Sequence, residues 1–498
     1  MKKILRIISL TFLILITSFI SFSKGTNALI VVQQSDAKTL DPSASNDAYS
    51  HNVNLNIYDR LFDYNTEMKI VPTLAESYKQ LDPLTLQVVL KKGVKFHNGD
   101  ELTSEDVKFS LERASKAPAS LSFFGNVEKI EIIDPYTVNI ITKAPYGPLL
   151  NSLAHSTGSI INKKYTESGT DTFFKPIGTG PFIFESWKAG DRVVLTTNKN
   201  YFNGPSSVEG LIFRVIPEST NRTIALETRE VDIVLTVSPV DADAVEANDH
   251  LKLYRRPSAA LNYLGLNCEK GPTSDIRVRQ AIVSALDMKD VNIAFGRLAI
   301  AAYSVIPPDV LGYKENPPVL RDVEKAKKLL AEAGYSNGLK LKFWTNDNQA
   351  RKDSAVIMQA QLKEVGIDVE IEILEFGAYL ERLNRGEHDL FILGTLGSTD
   401  PDGALYTIFH TSNLGSGGNR SFYKNPKVDE LLDKGRASTD VAERVAVYEE
   451  AADIIRDEVG IIPLVYPPVS VGAQDYIDGF YPYPTFTFLF KDVKKNIK

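Results

Sequence analysis

The chain has 498 residues, 43% hydrophobic and 24% charged, the proportions of a globular protein rather than a disordered or fibrous one. A formal net charge of −7 supplies no basic footprint for nucleic acid, and a single cysteine, Cys268, excludes a disulfide framework. No tandem repeat or low-complexity tract interrupts it.

The N-terminus reads as a processing segment. Lys2, Lys3 and Arg6 precede an apolar run from Ile7 to Phe22, and Ser21 and Ser23 offer the small residues a signal peptidase reads, which places cleavage after Ser23 and a signal peptide at 1–23. A membrane anchor is the competing reading, but the run is shorter than the ~20 apolar residues of a spanning helix. No cysteine stands near the cleavage point for lipid attachment. The expected mature chain, about 475 residues, is too long for one core and calls for two or three domains. Its expected location is the periplasm, across the inner membrane.

In chain order, Ala28 to Gln33 reads as a short apolar strand, Leu40-Asp41-Pro42 as a turn and Asn52 to Leu61 as a helix. The block Ala75 to Ala114 is the richest in signals. Asp82-Pro83 marks a turn, and Leu84, Leu86, Val88 and Leu90 then alternate with Thr85, Gln87 and Val89, the period of a strand with one buried face. Asn98-Gly99-Asp100 forms a second turn. Thr103 and Asp106 have capping-box spacing, so a helix starts there with Val107, Leu111 and Ala114 inward.

Gly178-Thr179-Gly180-Pro181-Phe182 joins two strand-like runs, and Arg192 to Thr197 continues the sheet. Thr220 to Arg229 has helical spacing and Val231 to Thr236 is an apolar strand. Beyond Pro257 strands alternate with helices: Leu261 to Leu266, Arg277 to Leu286 (helix), Val323 to Ala333 (helix), Leu339 to Trp344, Ser354 to Val365 (helix), Asp368 to Leu374, Phe376 to Arg385 (helix) and Asp389 to Gly394. Such an alternation predicts a mostly parallel sheet with helices on both faces, with ligands at the carboxyl ends of its strands, in the loops after Trp344 and Gly394.

Nothing asks for catalysis. No Gly-x-Ser-x-Gly elbow or His-Glu-x-x-His pair is present, and Gly178-x-Gly180 is too short for a nucleotide loop. The six histidines, His51, His97, His155, His250, His388 and His410, have no metal-ligand spacing, so neither metal nor cofactor is expected.

The ordered signals of Ala75 to Ala114 resemble the signature of solute-binding protein family 5, the extracytoplasmic peptide-, nickel- and glutathione-binding proteins of ABC importers. The resemblance covers nearly the whole mature chain. It implies an α/β, two-lobed periplasmic binding protein-like fold (type II, cluster C) with an additional inserted domain. Carried onto this chain, domain I spans 24–57, 176–258 and 465–498, the inserted domain II spans 58–175 and domain III, the second lobe, spans 259–464. Hinge strands fall near Tyr254 to Leu261 and Pro463 to Val471.

The implied function is capture of dipeptides to oligopeptides, or glutathione, by lobe closure and delivery to an inner-membrane ABC permease, by a monomer that is not an enzyme. Alternatives are a binder of a nickel chelate or other small solute, a peptide-processing enzyme, or an adhesin. Ala404 to Tyr423 is more similar to glutathione- and oligopeptide-binding members than to strict dipeptide binders, and a histidine such as His410 approaches the metal complex in nickel-binding ones.

A free peptide carries an ammonium and a carboxylate, and a site that encloses it must pair both. In peptide-binding relatives the loop Thr395-Leu396-Gly397-Ser398-Thr399-Asp400-Pro401-Asp402 holds the ammonium acceptor, here Asp400 or Asp402; the bland alternative is a turn with a helix cap at Asp402. The family places a carboxylate-clamping arginine at Arg351, which read alone is equally a solvated residue of a helical first turn. Trp344 is positioned to stack on the ligand or to pack, and Asn267 and Cys268 follow another strand toward the same cleft edge, with Cys268 also readable as a small buried hydrophobe. Asn419, Arg420 and Tyr423 line the mouth or form a plain loop tip, and because the turn from Asp41 to Tyr49 faces the cleft in relatives, the resemblance implies that Asn46 or Tyr49 meets the ligand backbone from the first lobe.

Overall fold

A computed structural model describes residues 27–169, 171–395 and 397–496. The expected signal peptide and Leu396 lie outside the described residues. Among the described residues, three sheets of four or more strands, beside two two-stranded ones, organise the chain. The first, seven-stranded, has Ala28–Gln33 near its middle, parallel to Gly210–Val215 and Ile233–Val234, with Pro468–Gln474 and Leu251–Pro257 on one side and Arg192–Thr197 and Phe182–Lys188 on the other. Ala28–Gln33 is apolar almost throughout because both its faces are covered, the pattern of a central parallel strand.

The second sheet is four antiparallel strands, Ala75–Asp82, Thr85–Leu90, Thr137–Thr142 and Val127–Asp134. Leu86, Val88 and Leu90 point inward, and the helix Ser104–Ala114 covers them with Val107, Leu111 and Ala114, as the alternation and spacing predict. Thr103 and Asp106 form the expected capping box, with the Asp106 carboxylate accepting from the Thr103 N–H at 3.0 Å. Each large aliphatic side chain buried here contributes roughly 1.5–3 kcal/mol, so this region carries a core of its own.

The third sheet has six strands in the order Ile300–Ala301, Ile461–Tyr466, Asn262–Leu266, Leu390–Gly394, Leu339–Asn346 and Ile367–Leu374. It is mixed rather than mostly parallel. Leu339–Asn346 runs parallel to both its neighbours, whereas Asn262–Leu266 is antiparallel to Leu390–Gly394 and to Ile461–Tyr466. The reason is connectivity. The chain enters this lobe along Asn262–Leu266 and leaves along Ile461–Tyr466, so the two strands run in opposite senses.

The crossings between the first and third sheets lie side by side. Pro257 pairs with Pro468 in the first sheet and Asn262 with Val465 in the third, so the chain passes between the lobes at 258–261 and at Pro467. Helix starts differ from expectation where polar caps outrank apolar periodicity. The first helix among the described residues is Ala48–Ile57, capped by Asp47, and the one expected at Ser354 begins at Gln349, capped by Asn348.

Candidate ligand-binding site

The carboxyl ends of Leu339–Asn346, Ile367–Leu374 and Leu390–Gly394 share one edge of the third sheet, and the antiparallel strand brings its first residue, Asn262, opposite Gly394. The helix Gln349–Glu364 starts at this edge because the Asn348 side chain accepts from the Arg351 N–H at 3.1 Å. That places Arg351 in the first turn, with its guanidinium folded back over the strand ends. Nη1 donates to Asn346 Oδ1 at 3.1 Å and Nη2 to Asn262 Oδ1 at 3.2 Å. A Cβ on Gly394 would stand 3.0 Å from Arg351 Nη2 and 2.8 Å from Asn262 Oδ1, so only glycine leaves the arginine its place.

Arg351 has no carboxylate partner among the described residues. Burial holds its pKa below the ordinary arginine value, opposed by the Tyr379 and Tyr263 phenols. Two neutral amide oxygens orient the fork without neutralising it. With five N–H donors and two committed, it keeps donors for an anion.

The acidic loop behaves in the opposite way. Asp402 is 5% exposed, and both its oxygens accept from Arg436, Nε to Oδ1 and Nη2 to Oδ2, each at 2.8 Å. Burial raises its pKa and Arg436 opposes the rise. Asp400, equally buried, gives Oδ1 to Arg444 Nη2 at 2.6 Å and to the Asp402 N–H at 2.9 Å, and its Oδ2 is enclosed without a partner. Both aspartates are spent on arginines rather than held open for an ammonium: Asp402 meets Arg436 through both oxygens, and Asp400, 5% exposed, meets Arg444 through Oδ1. The turn is present, but Asp402 does not cap it: Asp402 is the first residue of a π-helical turn, Asp402–Tyr406, its side chain goes to Arg436, and it is the Asp400 carboxylate that accepts from the Asp402 N–H.

The other expected residues divide clearly. Trp344 is fully buried in the core of the third sheet, with the Arg382 guanidinium 4.0 Å over its ring, so it packs and presents no face to a ligand. Asn267 is buried and spends its side chain on the Gly386 and His388 carbonyls and the Glu269 and Lys270 N–H groups. It follows the far end of Asn262–Leu266, where Leu266 pairs with Leu390, about 14 Å along the strand from Asn262. The antiparallel direction therefore puts Asn267 and Cys268 at the edge opposite Arg351. Burial pushes the Cys268 thiol up to about 11, the state of an inert packed cysteine.

Thr395 is committed to the crossing: its N–H donates to the Leu261 carbonyl at 2.8 Å and its Oγ1 accepts from the Leu261 N–H at 2.9 Å. Gly397 lies against the same segment, where a Cβ would meet Ala259 and Ala260 backbone at 3.2–3.3 Å. Arg420 is half-buried, its Nε donating to Asn384 Oδ1 at 3.0 Å. Asn419 and Tyr423 are buried and hold the loop together, Asn419 donating to the Tyr423 carbonyl at 2.9 Å. Asn46 is exposed and Tyr49 half-buried on the first lobe, neither making a side-chain hydrogen bond among the described residues. Two surface recesses, of about 640 Å³ beside Asp100 and Lys163 and about 330 Å³ beside Phe174 and Trp187, are lined by none of these residues.

A family model for the middle region of bacterial extracellular solute-binding proteins, family 5, matches residues 69–416, more than half of the chain. The chain belongs to this family. It is 31% identical over 479 residues to the glutathione-binding protein GsiB of Escherichia coli strain K12, covering 93% of this chain and 94% of that one. Among solved structures, HbpA2 from Haemophilus parasuis is 27% identical with a TM-score of 0.88, covering 94% of this chain and all of that one. The periplasmic binding protein DppA from Helicobacter pylori, in complex with peptide STSA, is 29% identical with a TM-score of 0.74, covering 94% and 98%. These relatives bear out the two-lobed fold.

Sequence reasoning missed Asn262, Asn346, Arg436 and Arg444. Asn346 follows Trp344 by two residues on the same strand and was within reach of the period-two rule. The arginines that saturate the acidic loop lie on two later helices, Pro426–Ala437 and Val441–Asp457, with no local signal tying them to Asp400 and Asp402.

Proposed function

We propose that this protein captures short peptides between its two lobes, closes on them and delivers them to a membrane ABC permease. The single observation that carries the reading is Arg351: a half-buried guanidinium, aimed by Asn262 and Asn346 and lacking an acid partner among the described residues, at the strand ends beside both lobe crossings. A ligand α-carboxylate fits that fork bidentately. The family match favours solute binding over catalysis, and the names of GsiB and of the DppA–peptide complex favour a peptide-type ligand, glutathione included.

In this reading domain I spans 24–57, 176–258 and 465–498, the inserted domain 58–175 and the second lobe 259–464, flexing at 258–261 and Pro467. HbpA2 and the peptide complex are nearly equal in identity and coverage, yet superpose at 0.88 and 0.74. In this reading a difference in the angle between the two lobes accounts for such a gap. A bias of roughly 5.5 kcal/mol toward the closed form moves the equilibrium from almost wholly open to almost wholly closed.

Small-angle scattering of the purified protein with and without a mixture of di- and tripeptides and glutathione tests the reading. A smaller radius of gyration with peptide supports it. Superimposable profiles, or contraction only with Ni(II)-histidine, reverse it, and hydrolysis of the peptides discards it.

A further inference from the structure

The edge that carries Arg351 also carries an acid. Asn346 closes the strand Leu339–Asn346 and is 7% exposed, and its carboxamide is shared between two charges. Oδ1 accepts from Arg351 Nη1 at 3.1 Å, and Nδ2 donates to Asp347 Oδ1 at 3.1 Å. These neighbours fix the orientation of the amide, since turning it over would set Nδ2 against the guanidinium and Oδ1 against the carboxylate. A carboxamide placed between a cation and an anion keeps them aligned and apart. The two charges stand within about 9 Å of each other, separated by two hydrogen bonds and one amide group.

Asp347 differs from the other acids of the loops that leave these strand ends. Asp400 and Asp402, beyond Leu390–Gly394, are buried on arginines. Glu375, beyond Ile367–Leu374, caps the helix Phe376–Asn384 by accepting from the Ala378 N–H at 3.0 Å. Asp347 is exposed, and among the described residues it makes no ion pair and accepts a hydrogen bond from Asn346 alone. It stands in sequence between Asn346 and Asn348, the two side chains that set the guanidinium and the N–H of Arg351. An exposed carboxylate is hydrated in the open form, and its attraction for an ammonium strengthens as lobe closure removes water.

Resting on the peptide reading above, we propose that Asp347 receives the ligand ammonium, so that with Arg351 it selects ligands whose ammonium and carboxylate lie close together. At about 3.3–3.6 Å per residue, the ends of a dipeptide fit this spacing and those of a long extended peptide do not. The α-amino and α-carboxylate groups of a γ-glutamyl head, as in glutathione, share one carbon and offer the same pair. Calorimetric titration tests this with Ala-Ala, with N-propionylalanine, which replaces the ammonium by hydrogen, and with glutathione, on the wild type, Asp347→Asn and Asp347→Glu. The wild type is expected to bind Ala-Ala at least about fivefold more tightly than N-propionylalanine. Asp347→Asn is expected to bring the ratio below about twofold by weakening Ala-Ala, and Asp347→Glu to retain part of it.

Binding of glutathione without the dipeptide, weakened at least about fivefold in Asp347→Asn, supports the inference and assigns the pair to the γ-glutamyl head. Equal wild-type affinities for Ala-Ala and N-propionylalanine overturn it, as does a loss in Asp347→Asn common to both. Glutathione binding without the dipeptide that Asp347→Asn leaves unchanged also overturns it, and in each of these cases the peptide reading stands. Heat from none of the three ligands overturns both.

Discussion

Two charged regions of the second lobe, both read from the sequence as ligand contacts, turn out to be opposites. The loop carrying Asp400 and Asp402 is electrically closed: each acid is buried against its own arginine, Arg444 or Arg436. Arg351 and Arg420 are each electrically open, Arg351 steered by Asn262 and Asn346 and Arg420 by Asn384. Opposite charges in contact build the scaffold, whereas the Arg351 guanidinium, held by two side-chain amides, keeps donors unspent among the described residues. The lesson is that a charged residue type says little until its partner is known.

The largest expected effect breaks the closed region. Arg444→Met leaves Asp400 buried without its cation and is expected to cost about 3–5 kcal/mol of unfolding free energy in a urea titration; a loss below about 1 kcal/mol would show that Asp400 does not depend on it. Removing an arginine charge in the open region gives the contrast. Arg351→Gln removes no ion pair of the described residues, so its urea midpoint stays near that of the wild type, while the peptide concentration needed for lobe closure rises about 10- to 100-fold in scattering titrations. Arg351→Gln unfolding as readily as Arg444→Met would erase the distinction.

A third prediction uses pH. His388 is buried against Phe391, with neither ring nitrogen partnered among the described residues, and burial lowers its pKa to about 4. His97, also buried, is lowered to about 4. Because the folded values lie below the ordinary 6.5, the unfolded chain binds more protons between them, and stability falls as pH drops from about 6.5 to about 4. The loss is on the order of 2 kcal/mol per group. Asp59, raised to about 6 by burial, acts in the opposite sense, losing stability as pH rises from about 4 to about 6. His388→Gln is expected to flatten the net slope of unfolding free energy against pH; an unchanged slope would place the histidine in a wetter site.

The smallest effect concerns the seam between the inserted domain and the acidic loop. The Tyr64 hydroxyl shares a hydrogen bond with Thr399 Oγ1 at 2.7 Å and accepts from Asn151 Nδ2 at 3.2 Å. Tyr64→Phe should cost about 0.5–1.5 kcal/mol, read by thermal melting. No change at all would mean that this seam bears no load.

Much of the fold was legible because its signals are local. Ala28–Gln33 is a strand at the residues its composition predicts, and the capping box at Thr103 and Asp106 set the helix start correctly. The direction of Asn262–Leu266 was not legible, since it depends on where the chain re-enters the lobe some 200 residues later, at Ile461–Tyr466. That one reversal moved Asn267 and Cys268 to the wrong edge. Pairing was hidden for the same reason: Asp400 and Arg444 are 44 residues apart. Arg351 was singled out by the family resemblance, and its place in the first turn of a helix capped by Asn348 is a local feature that the apolar spacing did not show.

The most direct test of the account is a calorimetric titration of the wild-type protein with one tripeptide as its free acid and as its C-terminal amide. If the open guanidinium of Arg351 receives the ligand carboxylate, the free acid binds at least tenfold more tightly, and Arg351→Gln brings the two together. Equal affinity for acid and amide, or heat from neither, would contradict it.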